Sequence, residues 1–146
     1  MIRPATEADI DALCVIGARY VDMFPSENVS FSRDTFAEYL RNLIAQQVVN
    51  EDVALLVSEC SGAVVAVFAG IVIPFPIIGQ KVAVKLSWGT LPQYGVQGVA
   101  LLRAAEKWAR NRGATRLAAS VFGEKAIKLM GDLGYSPTEM IFEKAL

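Results

Sequence analysis

Apolar residues recur at helical spacing in four stretches of the 146-residue chain. Thr6, with Asp9 three residues later, has the pattern of a capping box that opens the first stretch. Gly113 and Gly134 follow the third and fourth stretches directly, as C-terminal caps do. The predicted helices extend from Thr6 to about residue 20, from near Ser32 through Ile44, over residues 97–112 and over residues 124–133.

Six other stretches contain continuous or alternating apolar residues rich in β-branched types, which is typical of strands. The Cys-Ser-Gly sequence at residues 60–62 predicts a hairpin turn between two of them. From Val82 to Trp88 every second residue is apolar, so these side chains are expected on one face of a strand. The predicted strands cover residues 2–5, 53–58, 63–73, 81–88, 116–121 and 139–145.

The resulting order, β-α-α-β-β-β-α-β-α-β, contains no linker or internal repeat and predicts one α/β (α+β) domain over residues 1–146. The hydrophobic fraction of 53% is that of a folded chain rather than a disordered one. The net charge of −1, without long runs of either sign, argues against a nucleic-acid or membrane surface. The longest apolar run is interrupted by Pro74 and Pro76, so it is not expected to span a membrane.

The composition also restricts the chemistry. The chain has no histidine, which excludes histidine bases and histidine metal ligands. Its two cysteines, Cys14 and Cys60, are too few for a disulfide framework or a metal site, so we expect no metal and a reducing cytoplasm. The first residues show no secretion signal pattern.

Three segments, taken in order, resemble the GNAT-type N-acetyltransferase superfamily. They are IRPATEADIDAL near the amino terminus, LLRAAEKWARNRGATRL at residues 101–117 and LMGDLGYSPTEMIFEKAL at residues 129–146. The resemblance covers nearly the whole chain. It implies a mixed central sheet in which two parallel strands splay apart, one ending at Thr90 and the other covering residues 116–121. It further implies that acetyl-coenzyme A binds between them as a cosubstrate.

In such a fold the pantetheine amides pair with the first strand, and the pyrophosphate binds the first turn of the next helix. Gly95, Gly98 and Ala100 would let a phosphate approach the backbone. Gln93 falls on the family's Arg/Gln position, but the extra arginine that often follows is missing, so weaker affinity is expected. The resemblance assigns cofactor contacts to Trp88, Gly89, Thr90, Gln93, Gly95, Val96, Gln97, Gly98, Val99 and Ala100.

The catalytic groups implied by the resemblance are incomplete. The family's usual tyrosine acid corresponds to Met130, and a common asparagine corresponds to Gly123. Backbone N–H groups near residues 88–90 would stabilise the oxyanion. Ser87 and Tyr94 are the nearest hydroxyls, and Tyr94 is the candidate acid, with an ordinary loop aromatic as the alternative.

The connector at residues 22–31 corresponds to the family's acceptor pocket. Glu27 is the candidate base there, and Asp22 could hold an ammonium; the alternative is that both are solvated surface charges. Phe24 and Tyr39 complete the expected substrate pocket, unless they pack in the core instead.

Three functions therefore stay open. The first is an acetyl-coenzyme A-dependent N-acetyltransferase that acts on a small-molecule or peptide amine by direct attack in a ternary complex. The second is a degenerate, non-catalytic GNAT-like domain that serves as an acyl-coenzyme A-binding or interaction module. The third is an assembly role, suggested by the apolar segment PFPIIG. A homodimer formed through the last strand would suit this fold.

Overall fold

The computed structural model describes residues 1–24 and 29–146. Up to the fourth helix, the strands and helices follow the predicted order, which confirms the α/β class. The strands are β1 (Ile2–Pro4), β2 (Val53–Cys60), β3 (Ala63–Phe75), β4 (Gln80–Thr90) and β5 (Ala114–Ala118). The helices are α1 (Ile10–Asp22), α2 (Arg33–Val49), α3 (Gly95–Asn111) and α4 (Glu124–Asp132). None of the helices in these two ranges has the length and hydropathy needed to cross a membrane.

The strands form one mixed sheet in the order β1-β2-β3-β4-β5. Neighbours from β1 to β4 are antiparallel, and β4 pairs with β5 in parallel. Ser61 and Gly62, at φ 51° and 80°, form the left-handed two-residue turn between β2 and β3. The predicted hairpin is therefore confirmed.

Helices cover both faces of the sheet. Side chains of β3 alternate between the two resulting cores: Val67 and Ala69 pack with α1 and α2, whereas Ala66 and Phe68 pack with α3 and α4. This alternation follows from the two-residue period of a strand. The sheet is therefore the middle layer of three, and its β4 end lies beside α3.

An ion-pair cluster fixes the start of α1. The backbone N–H of Thr6 donates to the Asp9 carboxylate at 2.8 Å, as the capping box predicts. The Arg3 guanidinium donates to both Asp9 oxygens, at 2.8 and 2.9 Å, and to Glu59 at 3.0 Å. Asp9 is buried, and its pKa is lowered mainly by the hydrogen bond from Arg3. The cluster therefore joins β1, the helix start and the end of β2.

The carboxyl end of α3 is anchored to the start of β2. The Trp108 indole donates to the Glu51 carbonyl oxygen at 3.0 Å. Arg112 donates to the Asp52 carboxylate at 3.0 Å and to that of Glu51 at 2.6 Å. Gly113 follows at φ 79°, so the predicted C-cap is confirmed.

The expected alternation along β4 is wrong because the strand contains a β-bulge. Ala69 of β3 pairs with Ser87 and Gly70 pairs with Lys85, so Leu86 has no partner in β3. One extra residue reverses the face of every residue that follows it. Trp88 consequently packs on the α3 side of the sheet, while Leu86 is exposed.

The end of the chain also differs from the prediction. The stretch expected as a last strand, residues 139–145, has no strand partner, and its residues are exposed. Met140, Ile141 and Phe142 are consecutive apolar residues, so the pattern specifies no single buried face. The sheet therefore ends at β5 within the described residues.

Candidate functional site

The two parallel strands splay apart at one end. Their pairing ends at Val84 and Ala118, where β5 also ends. β4 continues to Thr90, and it stays paired with β3 through Ala66 and Thr90. In the described part of the chain, residues 85–90 therefore have no strand partner on the β5 side. The predicted splay is confirmed, and it leaves backbone groups of β4 free to pair with an extended ligand.

The helix that follows begins with an anion-favouring end. A 3-10 turn, Pro92–Tyr94, leads directly into α3 at Gly95, two residues before the predicted start. The α3 N-terminus has no side-chain cap and no acidic residue in its first turn. By contrast, the first turns of α1, α2 and α4 carry Asp11, Asp34 and Glu124. Unpaired N–H groups and the helix dipole make such an end attractive to phosphate.

Two side chains of β4 hold this helix end in place. The Trp88 indole donates to the Gly98 carbonyl oxygen at 3.0 Å. The Thr90 hydroxyl lies 3.0 Å from the Tyr94 carbonyl oxygen. A Cβ on Gly98 would come within 3.3 Å of the Thr90 side chain, so close packing explains this glycine. A Cβ on Gly95 would meet nothing within 4 Å, so the space above Gly95 is open.

The structure brings the predicted cofactor residues to one end of the sheet. Gly89 faces α1, because its added Cβ would approach Ile16 at 3.1 Å. Val96 and Gln97 line a shallow depression that they share with residues of β1 and β2. The whole predicted set lies in three consecutive pieces: Trp88, Gly89 and Thr90 end β4, Gln93 lies in the 3-10 turn, and Gly95, Val96, Gln97, Gly98, Val99 and Ala100 begin α3.

The positions expected to carry the acid have structural explanations. Met130 is 6% exposed and packs in the core between α3 and α4. Gly123 precedes α4 at φ 88° and ψ 144°, a conformation that is nearly restricted to glycine. Tyr94 is half-buried at the α3 N-cap. Glu27, the candidate base, lies outside the described residues.

The residues expected to line one substrate pocket fall into two aromatic groups. Phe24 packs edge-on against Phe122, with ring centroids 5.8 Å apart, and Tyr20 contacts both rings. Tyr39 stacks on Phe36 in a separate group, at 6.0 Å. Asp22 is exposed at the last position of α1. Tyr20 and Phe122 were not among the predicted pocket residues; Tyr20 lies four residues before Phe24, but no sequence pattern indicates Phe122.

Lys85 was not among the predicted site residues either. Its side chain is 8% exposed, at the point where β4 and β5 separate. Burial lowers the pKa of its ammonium group. The available signal was a charged residue between the apolar residues Val84 and Leu86, in the middle of a strand.

The remaining thiols and carboxylates form no metal site in residues 1–24 and 29–146. Cys14 is buried in α1, and burial raises the pKa of its thiol. Cys60 is half-buried at the end of β2, and both cysteines are free.

Comparisons with known proteins agree with this geometry. Residues 20–135 match the model of the Acetyltransferase (GNAT) family. The fold is similar to an acetyltransferase of Trypanosoma brucei (TM-score 0.73, 17% identity, 100% of this chain and 99% of that one). It is also similar to a putative acetyl transferase from Pyrococcus furiosus (TM-score 0.73, 20% identity, 100% and 99% covered).

A third similar structure is described as a ribosomal-protein-alanine N-acetyltransferase from Brucella melitensis (TM-score 0.73, 15% identity, 100% and 99% covered). No curated protein matches the chain in sequence. The solved structures establish the fold, and the family model covers most of the sequence. The chain therefore belongs to the GNAT family of acetyltransferases.

Proposed function

We propose that the protein is an acetyl-coenzyme A-dependent N-acetyltransferase that acts on a small-molecule or peptide amine by direct attack in a ternary complex. Family membership supports acyl transfer, and the family generally uses acetyl-coenzyme A. The observation that carries the proposal is the free edge of β4 at residues 85–90, beside the uncapped first turn of α3.

These two features suit the two halves of the cofactor. The pantetheine amides would pair with the β4 edge as an added strand does. The diphosphate would bind the N–H groups of the first turn of α3, where the open space above Gly95 admits it. The segment from Thr90 to Leu102 contains no lysine or arginine, so backbone N–H groups without a cationic side chain would hold the diphosphate. Because no ion pair adds to these hydrogen bonds, we expect modest affinity.

In the proposed reaction the neutral amine attacks the thioester carbonyl carbon. A C–N bond forms, the C–S bond breaks, and the thiolate takes up a proton. Free N–H groups along β4 would stabilise the developing oxyanion. Tyr94 stays the candidate acid, with an ordinary loop aromatic as the favoured alternative, and Glu27 stays the candidate base for this step.

The acceptor would enter from the side of Asp22 and Phe24. The exposed Asp22 carboxylate would attract an ammonium group, which must lose a proton before it attacks. One structural neighbour is described as a ribosomal-protein-alanine N-acetyltransferase, so peptide amino termini belong among the acceptors to be tested. The two free cysteines suit a reducing cytoplasm.

A second candidate is a GNAT-like module that binds acyl-coenzyme A without catalysis. It is favoured by Met130, whose buried side chain occupies the family's usual acid position and cannot donate a proton. Both candidates bind acyl-coenzyme A, but only the transferase would pass the acyl group to an amine.

Binding is tested by thermal denaturation of the full chain with and without acetyl-coenzyme A. Cofactor at a hundredfold over its Kd should stabilise the fold by about 2.7 kcal/mol. Gly95→Glu should abolish this stabilisation, because a carboxylate would occupy the open space and repel the diphosphate. The matched control, Thr35→Glu, adds the same charge to the exposed first turn of α2 and should keep the full response. A wild-type protein without any shift would contradict the proposal.

Turnover is tested by thiol release over a panel of amines and peptides. Release that depends on one acceptor class supports the transferase. Binding without release from any acceptor would instead support the non-catalytic module.

A further inference from the structure

Lys85 occupies an unusual place for a lysine. It is the first residue of β4 beyond the last pair with β5, Val84 and Ala118. Its side chain is 8% exposed, whereas lysines are rarely fully buried without a charged partner. The lysine therefore lies inside the fork between the two strands.

The polar contact of Lys85 is to a carbonyl oxygen and not to a carboxylate. Its Nζ donates a hydrogen bond across the fork to the carbonyl oxygen of Ser120, two residues after β5 ends. Among the described residues, no carboxylate lies within 4.0 Å of this nitrogen. A buried ammonium without an opposite charge is costly, so burial lowers the pKa of Lys85. Once the ammonium has lost a proton, one N–H can stay on Ser120 while the nitrogen lone pair is free.

We propose that Lys85 is an acetylation site of this protein, modified by its own transferase activity. The inference rests on the proposed function, because that function requires a thioester in the same fork. An amine held beside a bound thioester gains a high effective concentration. The other lysines, at positions 81, 107, 125, 128 and 144, are exposed, so Lys85 is the lysine that the fold holds inside this fork.

The proposed step needs no reagent other than acetyl-coenzyme A. The neutral Lys85 Nζ attacks the thioester carbonyl carbon of acetyl-coenzyme A, and a C–N bond forms. The C–S bond breaks, and sulfur leaves with the bonding electron pair. The proton lost by the amine goes to this thiolate, directly or through water. The products are an amide on Lys85 and the free thiol of coenzyme A.

The product fits the observed contact. An amide keeps one N–H, which can still donate to the Ser120 carbonyl, and it loses the charge that burial disfavours. The added acetyl group would fill the fork and obstruct a second cofactor. Self-acetylation should therefore stop at one group per chain and lower the apparent affinity for acetyl-coenzyme A.

The experiment is incubation of the full chain with acetyl-coenzyme A and no amine, followed by intact mass measurement and peptide mapping. The expected result is one acetyl group, on Lys85, and none after Lys85→Arg. The control Lys128→Arg, at an exposed lysine of α4, should be acetylated like the wild type. An acetyl thioester that lacks the nucleotide should modify Lys85 much more slowly.

The wild-type peptide map decides the question even if Lys85→Arg fails to fold. Calorimetric binding of acetyl-coenzyme A without modification of Lys85, or with acetyl groups spread over exposed lysines, overturns this inference and leaves the proposed function intact. Absence of cofactor binding overturns both.

Discussion

The indole Nε1 of Trp88 donates a hydrogen bond to the carbonyl oxygen of Gly98, 3.0 Å away. This bond connects the last residues of β4 to the first turn of α3. These two parts would hold the pantetheine and the diphosphate of the cofactor. The Thr90 hydroxyl, 3.0 Å from the Tyr94 carbonyl oxygen, reinforces the same junction. The position of the helix end is therefore set by strand side chains and not by the loop alone.

Trp88→Phe should weaken cofactor binding as well as the fold. Loss of the indole donor removes one hydrogen bond to the Gly98 carbonyl and should cost about 1 kcal/mol of unfolding free energy. Trp108→Phe is the matched control, because its Nε1 also donates to a backbone carbonyl, that of Glu51, at 3.0 Å. Both variants should lose similar stability in urea unfolding, and only Trp88→Phe should raise the Kd for acetyl-coenzyme A. Equal Kd values for the two variants would contradict a role for the Trp88 junction.

Alanine substitutions at the two glycines in the first turn of α3 should have different effects on stability. Gly95→Ala should stabilise the protein by about 0.5–1 kcal/mol, because its Cβ meets open space and alanine favours helix. Gly98→Ala should be less stable than Gly95→Ala, because its Cβ would approach Thr90 to 3.3 Å. Urea unfolding of both variants measures the difference. The close approach also means that Gly98→Glu would perturb folding, so Gly95 is the better position for binding tests.

The Asp9 cluster should make stability dependent on acid pH. The folded pKa of Asp9 is lowered, chiefly by Arg3, so its contribution is fully present above the unfolded value near 3.9 and is lost as the pH falls through the folded value. Asp9→Asn should cost about 2 kcal/mol at pH 7, and the deficit should shrink as the pH is lowered below about 4. Glu7→Gln, which removes an exposed pair with Arg41, should cost much less than Asp9→Asn, because solvent screens that pair. A deficit for Asp9→Asn that stays constant with pH would contradict this account.

Tyr94→Phe tests the candidate acid. Its backbone carbonyl faces Thr90, and its place at the N-cap is explained without the hydroxyl group. We therefore expect unchanged thiol release and unchanged cofactor affinity. A fall in release of about 100-fold or more, with binding intact, would show that the hydroxyl is the acid.

The sequence predicted most elements because each has a local signal. The Thr6–Asp9 capping box, the Ser61-Gly62 turn and Gly113 are encoded within a few neighbouring residues. The bulge at Leu86 could not be predicted, because it depends on pairing with Ala69 and Gly70 of another strand.

The site shows the same difference between features with a local sequence signal and features that depend on distant residues. The uncapped start of α3 could be anticipated from the small residues near Gly95, which act locally. The contact of Phe24 with Phe122 and that of Lys85 with Ser120 join residues far apart in the chain. Residue periodicity reports which face is apolar and carries no information on such distant pairs.

The bulge makes β4 tolerant of losing one residue. Leu86 is the extra residue, so a chain without it would pair Lys85 and Ser87 with consecutive residues of β3 and keep the Trp88 indole on the α3 side. Loss of this one codon would straighten the strand and leave the bond from Trp88 to Gly98 in place. A one-residue deletion at this point is therefore a milder genetic lesion than the same deletion in a strand that is paired regularly.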